Sequence, residues 1–349
     1  AAGCYPERSR ASLEKLSEVD VIIGRDYPTD LPKTLFEQLR HFPADTTIER
    51  QDIKPDSSAI RTRAMVKIQE GCNQVCAFCI VPKVRGRERS VNPNAIVSRI
   101  NIHHEAGFKE VVLTGTQLGT YGFDIPDMDL TSLLQQILDG TDIPRLRVSS
   151  LQPQEIDHRL LEQWDDSRLC PHFHVALQSG SNNVLKRMRR KYTAREYVDA
   201  IELIRRTIPS ASITTDVIVG FPGETDDDFR ETYQVCADLG FSSMHVFPYS
   251  SRPGTSGSHF KDHVDPVTKS IRMAELLDLA RKNEGVYRDK LLGSVRSVLW
   301  EGFKEGLWQG LTDNYVRVVT RHETDLTNQI NKAKLINRDG TVVVSEIVV

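Results

Sequence analysis

Short apolar runs alternate with amphipathic stretches from about residue 64 onward, and this pattern restricts the possible fold more than any other feature. The strand-like runs are Met65–Gln69, Glu110–Thr114, Arg145–Ser149, His172–Leu177, Ser212–Val219 and Ser242–Pro248. Stretches with helical spacing are Asn94–Glu105, Leu130–Leu138, Arg195–Arg206 and Asp226–Leu239. Strands that are apolar on both faces, each followed by a helix, predict a parallel sheet covered by helices. Six such units predict an α/β fold with a partial (β/α)6 barrel rather than a complete eightfold barrel.

The regions on either side of this repeat differ from it. Residues 1–58 carry one strand-like run, Val19–Gly24, which is too little to fold alone. We expect them to be the end of an α/β domain whose beginning is not in this sequence. Residues 59–285 form the predicted core, and Pro266–Leu291 reads as a long connecting helix. Residues 286–349 contain short β-rich runs separated by Gly, Asn and Asp turns, which predicts a small antiparallel barrel.

The composition is that of a globular chain. Of 349 residues, 39% are hydrophobic and 27% are charged, as is usual for folded soluble domains. The sequence has no apolar run near the roughly 20 residues that a membrane helix needs and no signal-peptide pattern, so we expect a cytoplasmic location without membrane contact. The net charge of −3 gives no general attraction to nucleic acid, so RNA contacts would need local basic patches.

Three of the six cysteines lie close together directly after the first predicted strand. Cys72, Cys76 and Cys79 form a CxxxCxxC motif. Three thiolates can each bind one iron of a 4Fe–4S cluster and leave the fourth iron without a protein ligand. A structural zinc ion normally takes four protein ligands, and no second Cys or His pair follows. The spacing therefore favours an open iron–sulfur cluster, with zinc or ordinary buried cysteines as the alternatives.

Three segments of the chain resemble one known family, the radical S-adenosylmethionine (SAM) methylthiotransferases. They are Gly71–Pro82 with Arg85–Arg87, Gln178–Ser181 with Lys186–Met188, and Asp216–Glu224. The resemblance implies that the three clustered cysteines hold a 4Fe–4S cluster that cleaves SAM. The resulting 5′-deoxyadenosyl radical would activate an unreactive C–H bond for insertion of sulfur, and a second SAM would supply the methyl group. The β-rich end of the chain resembles a TRAM domain.

The resemblance also assigns the remaining cysteines. The family has an auxiliary cluster bound by three more cysteines, and Cys4 matches the third of them. The other two would lie upstream of residue 1. Cys170 and Cys236 match no ligand position, so we expect them to be buried structural cysteines.

Residues at the ends of several predicted strands are candidates for the SAM pocket. They are Gly115, Gln178, Ser179, Gly220, Phe221 and Pro222. Thr114-Gly115-Thr116 replaces the Gly-Gly-Glu pattern that is common in radical SAM enzymes, so a plain strand-ending turn is an alternative there. The pair His172 and His174 can bind metal, but core histidines are commoner and no third ligand is evident.

Two basic patches suit contacts with RNA phosphates. Their members are Arg85, Arg87, Lys186, Arg187, Arg189, Arg190 and Lys191. A solvated helix face is the ordinary alternative for such a run. Several segments resemble the branch that modifies N6-threonylcarbamoyladenosine at position 37, which implies a tRNA anticodon arm and a reductant protein as partners.

Other substrates and another class of function stay open at this stage. The same chemistry could act on isopentenyladenosine of tRNA or on a ribosomal-protein aspartate. A radical SAM enzyme without sulfur insertion, or a non-catalytic RNA-binding protein with a structural metal, would also fit parts of the pattern.

Overall fold

The computed structural model describes residues 4–17, 19, 21–23 and 62–348. The helices are α1 Cys4–Leu13, α2 Val81–Val84, α3 Pro93–Glu105, α4 Leu130–Gly140, α5 His158–Leu161, α6 Asn182–Arg187, α7 Ala194–Thr207, α8 Asp226–Leu239 and α9 Pro266–Leu291. Capping boxes are present at the starts of α7 and α8. Among the described residues, none of the helices has both the length and the apolar character that crossing a membrane requires.

Six parallel strand units form the core sheet. Its strands are β1 Arg63–Lys67, β4 Glu110–Thr114, β5 Arg145–Val148, β6 Ser150–Leu151, β7 His172–Val175, β8 Ser212–Val219 and β9 Ser243–Pro248. The pairing orders are β1-β4-β5 and β6-β7-β8-β9, and only Ser149 separates β5 from β6. All of these pairings are parallel. The α/β fold and the six-unit partial barrel predicted from the alternation are therefore confirmed.

The two faces of this sheet differ in chemistry. Residues such as Leu146, Phe173, Val217 and Val246 belong to the large buried core that the covering helices share. Because side chains alternate along a strand, their neighbours in sequence face the interior of the partial barrel. That interior face is polar and partly open, as Phe247 at its last strand is 50% exposed.

A closed five-stranded barrel follows α9. Its strands are β10 Val295–Lys304, β11 Leu307–Thr312, β12 Arg317–Thr320, β13 Ile330–Asp339 and β14 Val342–Ile347, in the order β10-β11-β12-β14-β13. Four of the pairings that close it are antiparallel, but β12 and β14 pair in parallel. The sequence predicted a purely antiparallel barrel, and the predicted boundary at residue 286 falls inside α9.

The small barrel is attached at the amino-terminal ends of the core strands. Tyr315 donates its hydroxyl to Glu110, the first residue of β4. Arg145, the first residue of β5, donates to the backbone carbonyls of Leu311 (3.1 Å) and Thr312 (2.8 Å). The opposite, carboxyl edge of the sheet is thus left free, and chemistry is expected at that edge.

The amino-terminal segment is described only in part. Of the predicted strand Val19–Gly24, residues 19 and 21–23 are described, and only Ile23 takes part in a β-bridge. The rest of that strand lies outside the described residues.

Candidate active site

The loop that carries Cys72, Cys76 and Cys79 lies at the carboxyl edge, between the short strand β2 (Gln69–Glu70) and α2. Backbone hydrogen bonds fix it from two sides. Ala77 donates to the Met188 carbonyl (2.9 Å) and accepts from the Gly257 amide (2.7 Å). Cys72 and Cys76 are buried and Cys79 is half-buried, so the loop holds three thiols in a protected position.

Gly71 and Gln69 set the path of the chain into this loop. Gly71 has φ +78°, and a Cβ there would lie 2.0 Å from the Arg87 carbonyl oxygen, so only glycine fits. The buried Gln69 accepts from the amides of Thr116 and Gln117 (both 2.9 Å) and donates to the Gly71 carbonyl (2.9 Å). This side chain joins the cysteine loop to the turn after β4. The sequence analysis missed it because a lone glutamine in a strand carries no motif.

Burial and nearby cations determine the protonation state of the three cysteine thiols. Burial raises the pKa of Cys72 to about 11 and raises that of Cys79 as well. Arg190 donates to the Cys76 sulfur at 3.4 Å and to the Gln152 side chain at 3.1 Å. Such thiols bind metal as thiolates and release their protons on binding, and a guanidinium beside a sulfur stabilises the negative charge that results.

The distances between the three cysteine sulfurs distinguish a site for an iron–sulfur cluster from a site for a single zinc ion. Three sulfurs on one zinc ion lie about 3.8 Å apart, since each Zn–S bond is about 2.3 Å. In the described part of the chain, the only three potential ligand atoms that all lie within 4.8 Å of one another come from His174, Asp216 and His245. At least one pair among the sulfurs of Cys72, Cys76 and Cys79 is therefore more than 4.8 Å apart, which is wider than one zinc ion requires. Three soft donors at this wider spacing fit an iron–sulfur cluster.

The predicted SAM-pocket residues divide into two groups. Gly115 ends β4, where a Cβ would approach the Gln69 carbonyl to 3.0 Å. Gln178 has φ +65° and bridges to β8 through its backbone, and its side chain has no hydrogen-bond partner among the described residues. The Ser179 hydroxyl instead contacts Thr232 of α8 at 3.0 Å and is buried. The Ser179 hydroxyl thus takes part in helix packing, and the role of Ser179 at the cofactor stays a prediction.

The turn Gly220–Gly223 lies at the same edge and is held by Glu224. That carboxylate accepts from the amides of Gly220 (2.6 Å) and Phe221 (3.1 Å) and pairs with Arg272 at 3.1 Å. Phe221 is fully buried in a small core that also contains Ala77 of the cysteine loop. The turn and the cysteine loop are thus packed on one apolar base.

The basic residues predicted for RNA do not all face solvent. Lys186, Arg189 and Lys191 are exposed and have no ion-pair partner among the described residues. Arg187 instead donates to the Pro222 carbonyl (2.9 Å) and pairs with Asp262 (2.6 Å). Arg190 contacts the cysteine loop, as described above. The sequence could not separate these two from the run, because their partners lie far away along the chain.

The second basic patch borders the cysteine loop. Arg85 is half-buried and Arg87 is exposed. Arg85 donates its Nε to the Cys4 sulfur at 3.2 Å, which brings the amino-terminal helix α1 beside α2. Cys4 therefore lies next to the segment that follows the three clustered cysteines. The other two cysteines, Cys170 and Cys236, are buried, as predicted.

One acidic residue near this edge was not predicted. Glu155 follows β6, accepts from the Gln152 amide at 2.8 Å and from the Gln117 side chain, and lies near Arg190. Burial raises its pKa to about 7. A carboxyl group in an irregular loop carries no sequence signal of this kind, because the groups that bury it come from other strands.

The interior face below the edge holds a second polar group, which we call the interior cluster: Arg147, His174, Asp216 and His245. Asp216 contacts His174 Nε2 and His245 Nδ1, both at 3.2 Å. Burial alone would raise the pKa of Asp216, but its contacts with His174 and His245 outweigh that effect and lower the pKa. His172 lies beside this group, accepts from Arg147 Nε at 3.2 Å and has its pKa lowered by burial. The third partner of the His-x-His pair is thus Asp216, from the next strand.

Comparison with known proteins agrees with this site. A family model described as the radical SAM superfamily matches residues 66–236. Threonylcarbamoyladenosine tRNA methylthiotransferase MtaB of Bacillus subtilis (strain 168) is 37% identical over 96% of this chain and 77% of its own length. The tRNA-2-methylthio-N(6)-dimethylallyladenosine synthase of Thermoanaerobacter sp. (strain X514) is 35% identical over 87% of this chain and 67% of its own.

Similarity to solved structures is weaker. Coproporphyrinogen III oxidase (HemN) from Escherichia coli, titled a radical SAM enzyme, has a TM-score of 0.47 and 14% identity, covering 72% of this chain and 67% of that one. The identities above 30% over two thirds or more of full-length relatives decide the classification. The chain belongs to the radical SAM methylthiotransferases.

Proposed function

We propose that this enzyme adds a methylthio group at C2 of N6-threonylcarbamoyladenosine, at position 37 of tRNA. The observation that carries the proposal is the loop of Cys72, Cys76 and Cys79 at the carboxyl edge, which offers three thiols and no compact single-ion site. The relatives named for methylthiolation of tRNA supply the substrate class, and the 37% identical relative supplies the base.

As a radical SAM methylthiotransferase, the enzyme uses a 4Fe–4S cluster and SAM. The three clustered cysteines would hold the cluster, and Arg190 would stabilise the Cys76 thiolate. When bound, the two cofactors supply the radical that activates the C–H bond. Gly115 and Gln178 would present polar backbone and side-chain groups to SAM at the strand ends. The Gly220–Pro222 turn would line the same pocket, supported from behind by Glu224.

The exposed cations suit an anticodon arm. Lys186, Arg189 and Lys191 follow one another on the surface around the end of α6, and their charges are free of ion pairs with described residues. Lys and Arg in such positions hold the phosphate backbone and orient it without reading the bases. The small barrel would add a further RNA contact if it is a TRAM domain.

Three further assignments belong to the same proposal. Residues 1–58 would be the end of the auxiliary-cluster domain, 59–285 the radical SAM core and 286–349 the TRAM-like barrel. Cys4 would bind the auxiliary cluster, and its position beside Arg85 supports this because it lies next to the cysteine loop. A reductant protein would deliver electrons.

The nearest competing substrate is dimethylallyladenosine, since a relative named for it is 35% identical. Nucleoside mass spectrometry of tRNA from cells that lack the gene separates the two. We expect the 2-methylthio derivative of N6-threonylcarbamoyladenosine to disappear and its unmodified precursor to accumulate. An unchanged level of that derivative would reject the proposal, and loss of the dimethylallyl product would assign the other substrate.

Returning variant genes to the same cells provides the control. Cys76→Ser should fail to restore the modification. Cys236→Ala should restore it, because that cysteine lies on the buried face of α8, in the main core and away from the loop.

A further inference from the structure

The interior face of the core sheet carries an uncompensated positive charge. It presents three arginines, Arg63 on β1 and both Arg145 and Arg147 on β5. Arg63 and Arg145 both pair with Glu110, at 2.9 and 3.0 Å. Arg147 pairs with no described carboxylate. Its guanidinium lies 4.3 Å from the Tyr315 ring centroid and donates from Nε to His172, which leaves its terminal nitrogens available.

The two imidazoles beside Arg147 face the same space. His174 is fixed by Thr214, whose hydroxyl lies 2.9 Å from Nδ1, and by Asp216 on its other nitrogen. His245, from β9, is 58% exposed at its side chain. The Asp216 carboxylate therefore contacts two imidazoles. Asp216 contacts these imidazoles and not Arg147, so the Arg147 guanidinium has no carboxylate partner among the described residues, and the exposed imidazole of His245 can approach a ligand.

The interior cluster lies at a distance from the carboxyl edge that a substituent on the reacting base could reach. Asp216 lies three residues before the end of β8, which at about 3.3 Å per residue puts it about 10 Å below the carboxyl edge. C2 and the N6 substituent belong to the same purine, so a substituent can extend into the barrel while C2 faces the edge. An apolar dimethylallyl group there would desolvate the cluster without a counter-charge, which is unfavourable.

We propose that Arg147 and His245 bind the carboxylate of the threonylcarbamoyl group and so select this substrate over the dimethylallyl one. The inference rests on the proposed function. Asp216 acts as a positioning residue, because it orients both imidazoles. The threonylcarbamoyl group also carries N–H and O–H donors, and Asp216 is the acceptor nearest to them in the cluster.

The test is binding of the purified chain to anticodon stem-loops, measured by fluorescence anisotropy. One stem-loop carries threonylcarbamoyladenosine and the other carries its methyl ester, which differs by a single charge. We expect the acid to bind about 10- to 100-fold more tightly than the ester, the range for one charge-assisted hydrogen bond. Arg147→Met should abolish this preference, so that the acid and the ester bind the variant equally.

Two further variants keep the result interpretable. His245→Ala replaces an exposed side chain, so it should fold normally and reduce the preference for the acid. Arg195→Met is the matched control, because Arg195 lies on the outer surface of α7 and contacts only Asp199 among the described residues, at 2.9 Å. It should preserve the full preference.

The outcomes separate this inference from the proposed function. Equal binding of acid and ester by the wild-type chain overturns the inference, even if the gene-deletion experiment confirms the modification. Stoichiometric zinc binding that Asp216→Asn removes, without any preference for the acid, overturns it in favour of a metal site. If deletion leaves the modification unchanged, the proposed function and this inference both fall.

Discussion

Replacing Glu110 by Gln tests whether one buried carboxylate joins the small barrel to the core. Its side chain is fully buried and lies 2.9 Å from Arg63, 3.0 Å from Arg145 and in contact with the Tyr315 hydroxyl. The contact with Arg145 Nε is close but poorly aligned for a hydrogen bond, so its contribution is mainly electrostatic.

The expected loss of stability depends on the partners that Arg63 and Arg145 retain when Glu110 is replaced. Removing one member of a buried ion pair costs about 3–5 kcal/mol. Arg63 retains Glu301, and Arg145 retains its two backbone carbonyls. We therefore expect Glu110→Gln to lower the free energy of unfolding by about 3 kcal/mol, at the lower end of that range.

Urea unfolding followed by tryptophan fluorescence measures this change, since Trp300 and Trp308 report on the small barrel. Tyr315→Phe keeps both ion pairs and should cost only about 1 kcal/mol. Glu305→Gln, at an exposed carboxylate of the small barrel, should cost less than about 0.5 kcal/mol. If Glu110→Gln were no more destabilising than Glu305→Gln, the argument that this network stabilises the interface would be refuted.

Three more predictions concern the carboxyl edge. Cys76→Ser should lose iron and acid-labile sulfide after anaerobic reconstitution, whereas Cys236→Ala should retain both; equal contents would contradict the ligand assignment. Gly71→Ala should destabilise the chain by more than about 3 kcal/mol, because its Cβ meets the Arg87 carbonyl oxygen at 2.0 Å; thermal unfolding of the two proteins measures this. Burial raises the pKa of Glu155 from 4.5 to about 7, so its favourable contribution is present below pH 4.5 and is lost as the pH rises through 7. The free energy of unfolding of Glu155→Gln, relative to that of the wild type, should therefore rise by about 2–3 kcal/mol between pH 5 and pH 8. Urea midpoints of the two proteins that differ by the same amount at both pH values would contradict this.

Local patterns predicted the core elements well. The predicted helix Asp226–Leu239 and strand Ser212–Val219 have the observed bounds, because a capping box and a continuous apolar run are local signals. The parallel arrangement followed from strand–helix alternation. The predicted antiparallel character of the small barrel was wrong for one pairing, since β12 and β14 are far apart in sequence and their direction depends on how the barrel closes.

The site was only partly predictable. The cysteine motif is contiguous, so its spacing indicated the chemistry without a structure. Arg187 and Arg190 looked like surface cations, but carbonyl, carboxylate and sulfur partners from distant segments bind them. The contact of the Ser179 hydroxyl with Thr232 of α8 was not predictable either, because the two residues are 53 positions apart.

What the sequence alone determined is the sheet, its helices and the loop of three thiols, since each depends on residues within a few positions of one another. Only the tertiary structure decided which charges are free. Glu110 pairs with two interior arginines, whereas Arg147 has no carboxylate partner among the described residues, and Asp216 brings His174 and His245 together. Whether a charge is compensated depends on the three-dimensional distance to its partners, and parallel strands place residues about 30 positions apart, such as Asp216 and His245, in direct register.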